Sequence, residues 1–161
     1  MKLYIMRHGQ AQPVAKTDQE RRLTEAGIAQ SNFVANWLMK DLPRCDIDFV
    51  SPYLRAQETY QCVIKHLEPA SICLTLDELT PESDPSACGD SLLAYCAQHK
   101  ANSALVVSHL PLVGLLIADL CPGVVIPSFT TSSVACLEID LEQWTGKLLW
   151  HKSYEQLAQH V

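Results

Sequence analysis

No run of lysine or arginine occurs anywhere in this chain. Basic side chains number 12 against 18 acidic ones, for a formal net charge of −6 over 161 residues. Non-specific attachment to nucleic acid or to an anionic membrane surface is therefore disfavoured. Any anion-binding role needs a local concentration of arginine and histidine on an acidic background. Cys-x-x-Cys is also missing. The seven cysteines, at 45, 62, 73, 88, 96, 121 and 136, are odd in number, and none stands at zinc-ligand spacing from a histidine. They read as small buried apolar side chains in a reducing compartment. A secretory leader is not expected, because Arg7 and His8 interrupt the first apolar run. The most apolar later stretch, LPLVGLLIADLCPGVVIP (110–127), contains Asp119 and is interrupted by Pro122 and Gly123, so it is not expected to span a bilayer. Repeats, low-complexity linkers and carboxylate clusters suited to a metal are absent too. The expectation is one cytoplasmic domain over residues 1–161, with no metal and no cofactor.

The segments present alternate between two periodicities. LYIM (3–6) lies within a strand over 2–6. After a loop, Thr24 is placed to cap a helix over about 25–41, with Ile28, Ala35, Leu38 and Leu42 at helical spacing. IDFVS (47–51) reads as a short strand, YLRAQETYQCVIKHLE (53–68) as an amphipathic helix, and SICLTL (71–76) as another strand. The acidic, proline-bearing stretch 77–90 reads as a loop, and a helix is expected over 90–99. SALVVS (103–108) is apolar throughout, as in a strand covered on both faces. Residues 111–120 form a helix opened by Pro111. Late strands at 133–140 and 147–152 flank a turn at Gly146, and a short helix closes the chain. Four alternations of strand and helix imply an α/β fold, three-layer α/β/α with a mostly parallel central sheet.

Sites in such sheets form beyond the carboxyl ends of the strands. The first strand ends in Arg7-His8-Gly9. The second leads into FVSPYLRAQET, with Arg55 in the first helical turn, and the fourth ends in Ser108-His109 just before a helix. In a parallel sheet these three ends share one edge, so two arginines, two histidines and two helix N-termini converge there. That is an anion site, and a phosphoryl group fits it best, because the guanidinium fork matches phosphate oxygens. Taken singly, Arg55 could instead pair with Glu58 at the surface, and His109 could be a satisfied core histidine.

Arg-His-Gly (7–9), Ser-Pro-x-x-Arg-Ala-x-x-Thr (51–59) and Val-Ser-His (107–109) together resemble the histidine phosphatase superfamily, whose fold is phosphoglycerate mutase-like. YIMRHGQA, RLTEAG, DELTP, VVSHLPLVGLL and CPG…FTTSS narrow the resemblance to its short phosphohistidine phosphatases, the SixA type, over roughly residues 3–140. The resemblance implies that His8 is the nucleophile, transiently phosphorylated, and that Arg7, Arg55 and His109 bind the phosphoryl oxygens. His109 would add a positive charge if protonated. Like-charge repulsion from Arg7 and Arg55 would help keep His8 neutral. Arg21 and Gly9 are implied substrate-binding residues. Such sequences carry Arg-Pro-Leu-Thr where this chain has Arg21-Arg22-Leu23-Thr24, so the proline's rigidity is missing.

Larger relatives place an acid beside the leaving group. Here only the 77–90 segment is available, with Glu78, or otherwise Asp77, Glu82 or Asp84, as the acid. Glu78 could equally be a partner of a catalytic arginine, and the bland reading of all four is a solvated loop. Scarcity of an acid argues against alcohol leaving groups, whose pKa lies near that of water, about 16. Phosphohistidine can instead protonate on its remote ring nitrogen and leave as neutral imidazole. The expected substrate is a phosphohistidine on a signalling or phosphotransferase protein, such as a histidine-containing phosphotransfer domain, met by a monomeric enzyme. The alternatives are a general phosphomonoesterase and a non-catalytic module that binds phosphorylated proteins.

Overall fold

The computed structural model describes residues 1–159. Eleven regular elements follow in order: β1 (Lys2–Arg7), α1 (Glu25–Leu38), β2 (Ile47–Val50), α2 (Leu54–Val63), β3 (Ile72–Thr75), α3 (Pro85–Gln98), β4 (Ser103–Ser108), α4 (Leu112–Leu120), β5 (Val134–Asp140), β6 (Thr145–Lys152) and α5 (Tyr154–Ala158). Short 3₁₀ turns occupy Asp18–Glu20 and Asp77–Leu79. The strands form one six-stranded sheet in the order β3-β2-β4-β1-β5-β6. The first four run parallel, while β5 is antiparallel to β1 and forms an antiparallel hairpin with β6.

Strand alternation explains why helices cover both faces. In β1, Leu3 and Ile5 point into one apolar cluster and Tyr4 and Met6 into the other; in β4, Ala104 and Val106 part from Leu105 and Val107 in the same way. Both sets are almost fully buried, which is why these strands read as unbroken apolar runs. The first cluster is completed by Leu92 and Leu93 of α3 and Leu112 and Leu116 of α4. The second is completed by Val34 and Leu38 of α1, Tyr60 and Val63 of α2, and Leu157 of α5. The layering is therefore α/β/α. Within the second cluster the buried Asp48 carboxylate accepts the Tyr60 hydroxyl at 2.6 Å and the Ala70 N–H at 3.0 Å, a satisfied structural pair.

Local chemistry sets the helix starts. Thr24 caps α1, its hydroxyl accepting the Gly27 N–H at 3.0 Å, as its position in the sequence predicts. The start of α3 differs from expectation. The helix begins inside the supposed loop because Asp84 caps it, accepting the Ala87 N–H at 2.8 Å, with Pro85 in the first turn. The late turn is also displaced. Gly146 lies within β6 opposite Ile139, and the chain reverses just before it, where Trp144 takes a φ of 52°. Cys88, which lies in the acidic segment, is buried, and Cys73 on edge strand β3 is the exposed cysteine. Among the described residues no helix is long and apolar enough to cross a membrane.

Candidate active site

The site lies at the carboxyl edge of the parallel strands. At the end of β1 the His8 N–H donates to the Ser108 carbonyl of β4 at 2.9 Å, and the His8 carbonyl accepts the Ser132 N–H at 3.1 Å. The backbone on both sides of the ring is thus fixed to neighbouring segments. Gly9 is glycine because α1 passes too close for a side chain: a Cβ there would sit 2.5 Å from Ser31 Oγ and 2.8 Å from the Gly27 carbonyl oxygen. Its N–H donates to Thr59 Oγ1 at 2.9 Å, and Thr59 in turn donates to the Arg55 carbonyl at 2.7 Å. The Gly9 amide is therefore committed to Thr59 and does not point at a phosphoryl group. Gly9 also has a supporting role beside His8.

That role concerns the His8 tautomer. His8 Nδ1 lies 2.7 Å from the Gly9 carbonyl oxygen, which can only accept, so Nδ1 carries the ring proton. Arg55 Nε–H donates to Nε2 at 3.3 Å, which requires a lone pair there. Burial, offset in part by the Gly9 hydrogen bond and reinforced by the charges of Arg55, Arg7 and Arg21, lowers the pKa of His8 to about 4. Burial is a larger cause than the arginine repulsion expected from the sequence. The outcome is a neutral imidazole whose unprotonated Nε2 presents its lone pair to Arg55.

His109 is fully buried, with its ring 5.0 Å from the His8 ring and 5.1 Å from that of Tyr53. Burial first, then His8 and the arginines, lower its pKa to about 2, and Asp18 opposes the shift. With no anion beside it the ring is thus neutral, and the condition for an added positive charge is not met. The ring can still donate. Its Nε2 lies 2.6 Å from Ser51 Oγ, which accepts the Tyr53 N–H at 3.3 Å. Either atom of that contact can donate, so the tautomer of the ring decides whether Nδ1 carries a proton or a lone pair. That buried Nδ1 has no hydrogen-bond partner among the described residues, and neither does Arg7 Nε. A buried guanidinium N–H and a buried ring nitrogen that can carry a proton, neither with a protein partner, suit an oxyanion at this strand edge.

The arginines are anchored from several elements. Arg7 Nη1 donates to the Phe129 carbonyl at 2.7 Å, while burial and the neighbouring Arg55 pull its pKa below the usual arginine value. Arg55 is buried, with its guanidinium carbon 5.0 Å from the centre of the Tyr53 ring. It does not pair with Glu58. Glu58 instead takes Arg22 Nε at 2.8 Å and the Leu23 N–H at 2.8 Å. Arg22 thus ties the loop to α2 through an ion pair.

Arg21 Nε donates to the Gln12 carbonyl at 2.7 Å and its Nη1 to Asp18 Oδ1 at 3.0 Å. Asp18 also accepts Arg55 Nη2 on Oδ2 at 3.1 Å, and its carbonyl accepts Arg55 Nη1 at 2.7 Å. Burial would raise the Asp18 pKa, but these two arginines outweigh it and hold the carboxyl below its ordinary value.

Glu78, by contrast, is exposed, although Ser108 Oγ holds the adjacent Leu79 carbonyl at 2.7 Å. Among the described residues neither Glu78 nor Asp77, Glu82 or Asp84 pairs with an arginine, so the expected Glu78–arginine contact is absent. Ser51 and Thr59 open and close the Ser-Pro-x-x-Arg-Ala-x-x-Thr motif without an expected role of their own, and Asp18 lies outside every motif. Thr59 lies one turn after Arg55 inside the same motif, and that spacing is the available signal. No three His, Cys, Asp or Glu side chains among the described residues stand close enough to share a metal ion.

The histidine phosphatase superfamily (branch 1) model matches residues 3–81. The chain is 42% identical to the phosphohistidine phosphatase SixA of Escherichia coli, covering 95% of this chain and 94% of the relative. It is 32% identical to a phosphohistidine phosphatase SixA homolog of Haemophilus influenzae, over 99% of this chain and 94% of that one. Among solved structures, the protein histidine phosphatase SixA complexed with tungstate superposes with a TM-score of 0.89 at 41% identity, covering 98% of this chain and 99% of the other. With the Arg7-His8-Gly9, Arg55 and His109 constellation in place on that fold, the chain belongs to the histidine phosphatase superfamily.

Proposed function

We propose that this chain is a phosphohistidine phosphatase that works through a phosphoenzyme on His8. The observation that carries the reading is the state of His8: a buried neutral ring, Nδ1–H fixed on the Gly9 carbonyl, and Nε2 facing Arg55 with its lone pair available. The substrate phosphorus bonds to Nε2 as the bond to the substrate histidine breaks, and the phosphorylated His8 ring becomes cationic. Arg7, Arg55 and the Nδ1–H of His109 bind the equatorial oxygens, where charge is concentrated in the transition state, with Arg21 at the outer edge. Water then attacks the phosphorus, inorganic phosphate leaves, and Nε2 regains its lone pair.

The substrate is read as a phosphohistidine borne by a cytoplasmic signalling or phosphotransferase protein and met by a monomeric enzyme. Exchange of one N–P bond for another is nearly balanced, so the first step needs no strong acid. Exposed apolar side chains that follow His109 in the chain support a macromolecular partner. Leu110, next to His109, and Ile126 both lie within 4.0 Å of where a Gly114 Cβ would be, and Leu115 and Val125 are exposed nearby in sequence. Turnover of a phosphohistidine protein measured beside a simple alkyl phosphate tests the reading. Faster hydrolysis of the phosphohistidine is expected, and preference for the alkyl phosphate would overturn it.

A further inference from the structure

The loop between β1 and α1 brings a carboxylate to the arginines of the site. Asp18 takes one N–H from each of Arg55 and Arg21 on its two oxygens, at 3.1 and 3.0 Å, and its side chain remains 52% exposed. The same Arg55 guanidinium reaches His8 Nε2 through its Nε at 3.3 Å. One guanidinium therefore separates the carboxylate from the nucleophile, leaving a solvent-facing anion at the mouth of an anion site. The groups facing it are Arg21 from its own loop and Arg55 from α2, with His109 near enough to feel its charge.

Such a carboxylate is a poor neighbour for a dianionic phosphate ester, because like charges repel across a partly desolvated site. It suits a substrate that carries positive charge beyond phosphorus, and a phosphohistidine protonated on its remote nitrogen is one. We propose that Asp18 is the specificity residue for the leaving group: its carboxylate accepts the ring N–H of the substrate phosphohistidine and so favours imidazole over alcohol as the group expelled. This rests on the phosphohistidine reading above. The proton comes from solvent onto the remote ring nitrogen, where Asp18 holds it as an acceptor. The P–N bond breaks with its electron pair remaining on the nitrogen that bore phosphorus, and the phosphoryl group passes to His8 Nε2. The substrate ring departs as neutral imidazole, still carrying the proton at the nitrogen facing Asp18.

The test is Asp18→Asn, which keeps the shape and an acceptor oxygen but removes the charge. Two substrates are compared on one preparation: a phosphohistidine peptide, and p-nitrophenyl phosphate, whose phenolate leaves without protonation. Because both rates are read on the same sample, their ratio does not depend on the fraction of folded protein. Loss of a charge-assisted hydrogen bond to the leaving ring should lower kcat/KM for the peptide about tenfold. Removing the repulsion should raise kcat/KM for the ester. A proportional fall on both substrates, as expected if Asp18 only holds Arg21 and Arg55 in place, would overturn the assignment, and so would an unchanged ratio. A wild-type protein inert toward the peptide but active on the ester would overturn the phosphohistidine reading itself, and this inference with it.

Discussion

Thr59→Val removes one hydroxyl and almost no volume, and its consequences can be worked out bond by bond. Thr59 is fully buried, accepting the Gly9 N–H at 2.9 Å and donating to the Arg55 carbonyl at 2.7 Å. The Arg55 carbonyl keeps its helical partner one turn on, so losing the hydroxyl leaves it satisfied. The Gly9 N–H does not fare as well. With α1 packed 2.5–2.8 Å from any Cβ position at Gly9, the amide cannot turn toward water. A buried donor without a partner costs about 1–3 kcal/mol, which in a chain of this length lowers Tm by about 5 °C. The Gly9 carbonyl, which fixes His8 Nδ1–H, belongs to the same residue, so His8 loses its alignment and kcat should fall about tenfold. Urea unfolding and steady-state turnover, with Thr59→Ser as the control that keeps the hydroxyl, measure both effects. A Thr59→Val variant as stable and active as Thr59→Ser would refute this account of how the nucleophile is held.

The two site histidines make stability depend on pH. Both are neutral when folded, with pKa values lowered to about 4 for His8 and about 2 for His109. Above pH ~6.5 neither state binds the extra protons. Below it the unfolded chain takes them up and the folded chain does not, so stability falls by up to about 1.4 kcal/mol per pH unit for each histidine. Protonation of His8 in the folded protein ends its share near pH 4. Urea midpoints between pH 7 and 5 should drop in the wild type and much less in a variant with both positions changed to asparagine; equal slopes would contradict the burial argument. Ser51→Ala removes the hydroxyl that can hold the His109 proton on Nδ1 and leaves the buried Nε2 and the Tyr53 N–H without a partner, so kcat/KM should fall about tenfold and stability by about 1–3 kcal/mol. Undiminished turnover would show that the Ser51 contact does not set the tautomer.

Much of the site was legible because it depends on a short-range rule applied three times. Parallel strands carry their ends to one edge, so the sequence alone places Arg7-His8, Arg55 and His109 together. The burial of β4 on both faces was equally legible from its unbroken apolar run. Asp18 was not. Its partners Arg21 and Arg55 lie 3 and 37 positions away, and only the folded path of the loop brings the second one near. The neutral state of His109 was hidden for a similar reason, since burial acts through every neighbouring element. Asp84-Pro85 did carry a helix start signal, a capping carboxylate before a first-turn proline, but the acidic composition around it favoured a loop reading. Arg22 presents the reverse case: the proline is missing, and the Glu58 pair that holds the loop instead depends on α2 lying alongside.

The central claim is that Nε2 of His8 carries the phosphoryl group during turnover. Rapid acid-free quenching of the protein with a ³²P-labelled phosphohistidine donor, followed by peptide mapping and phosphorus NMR, reads it directly. The account predicts label on His8 at Nε2, formed and discharged at rates that match turnover, and absent in His8→Ala. Label on another residue, or full turnover by His8→Ala, would contradict it.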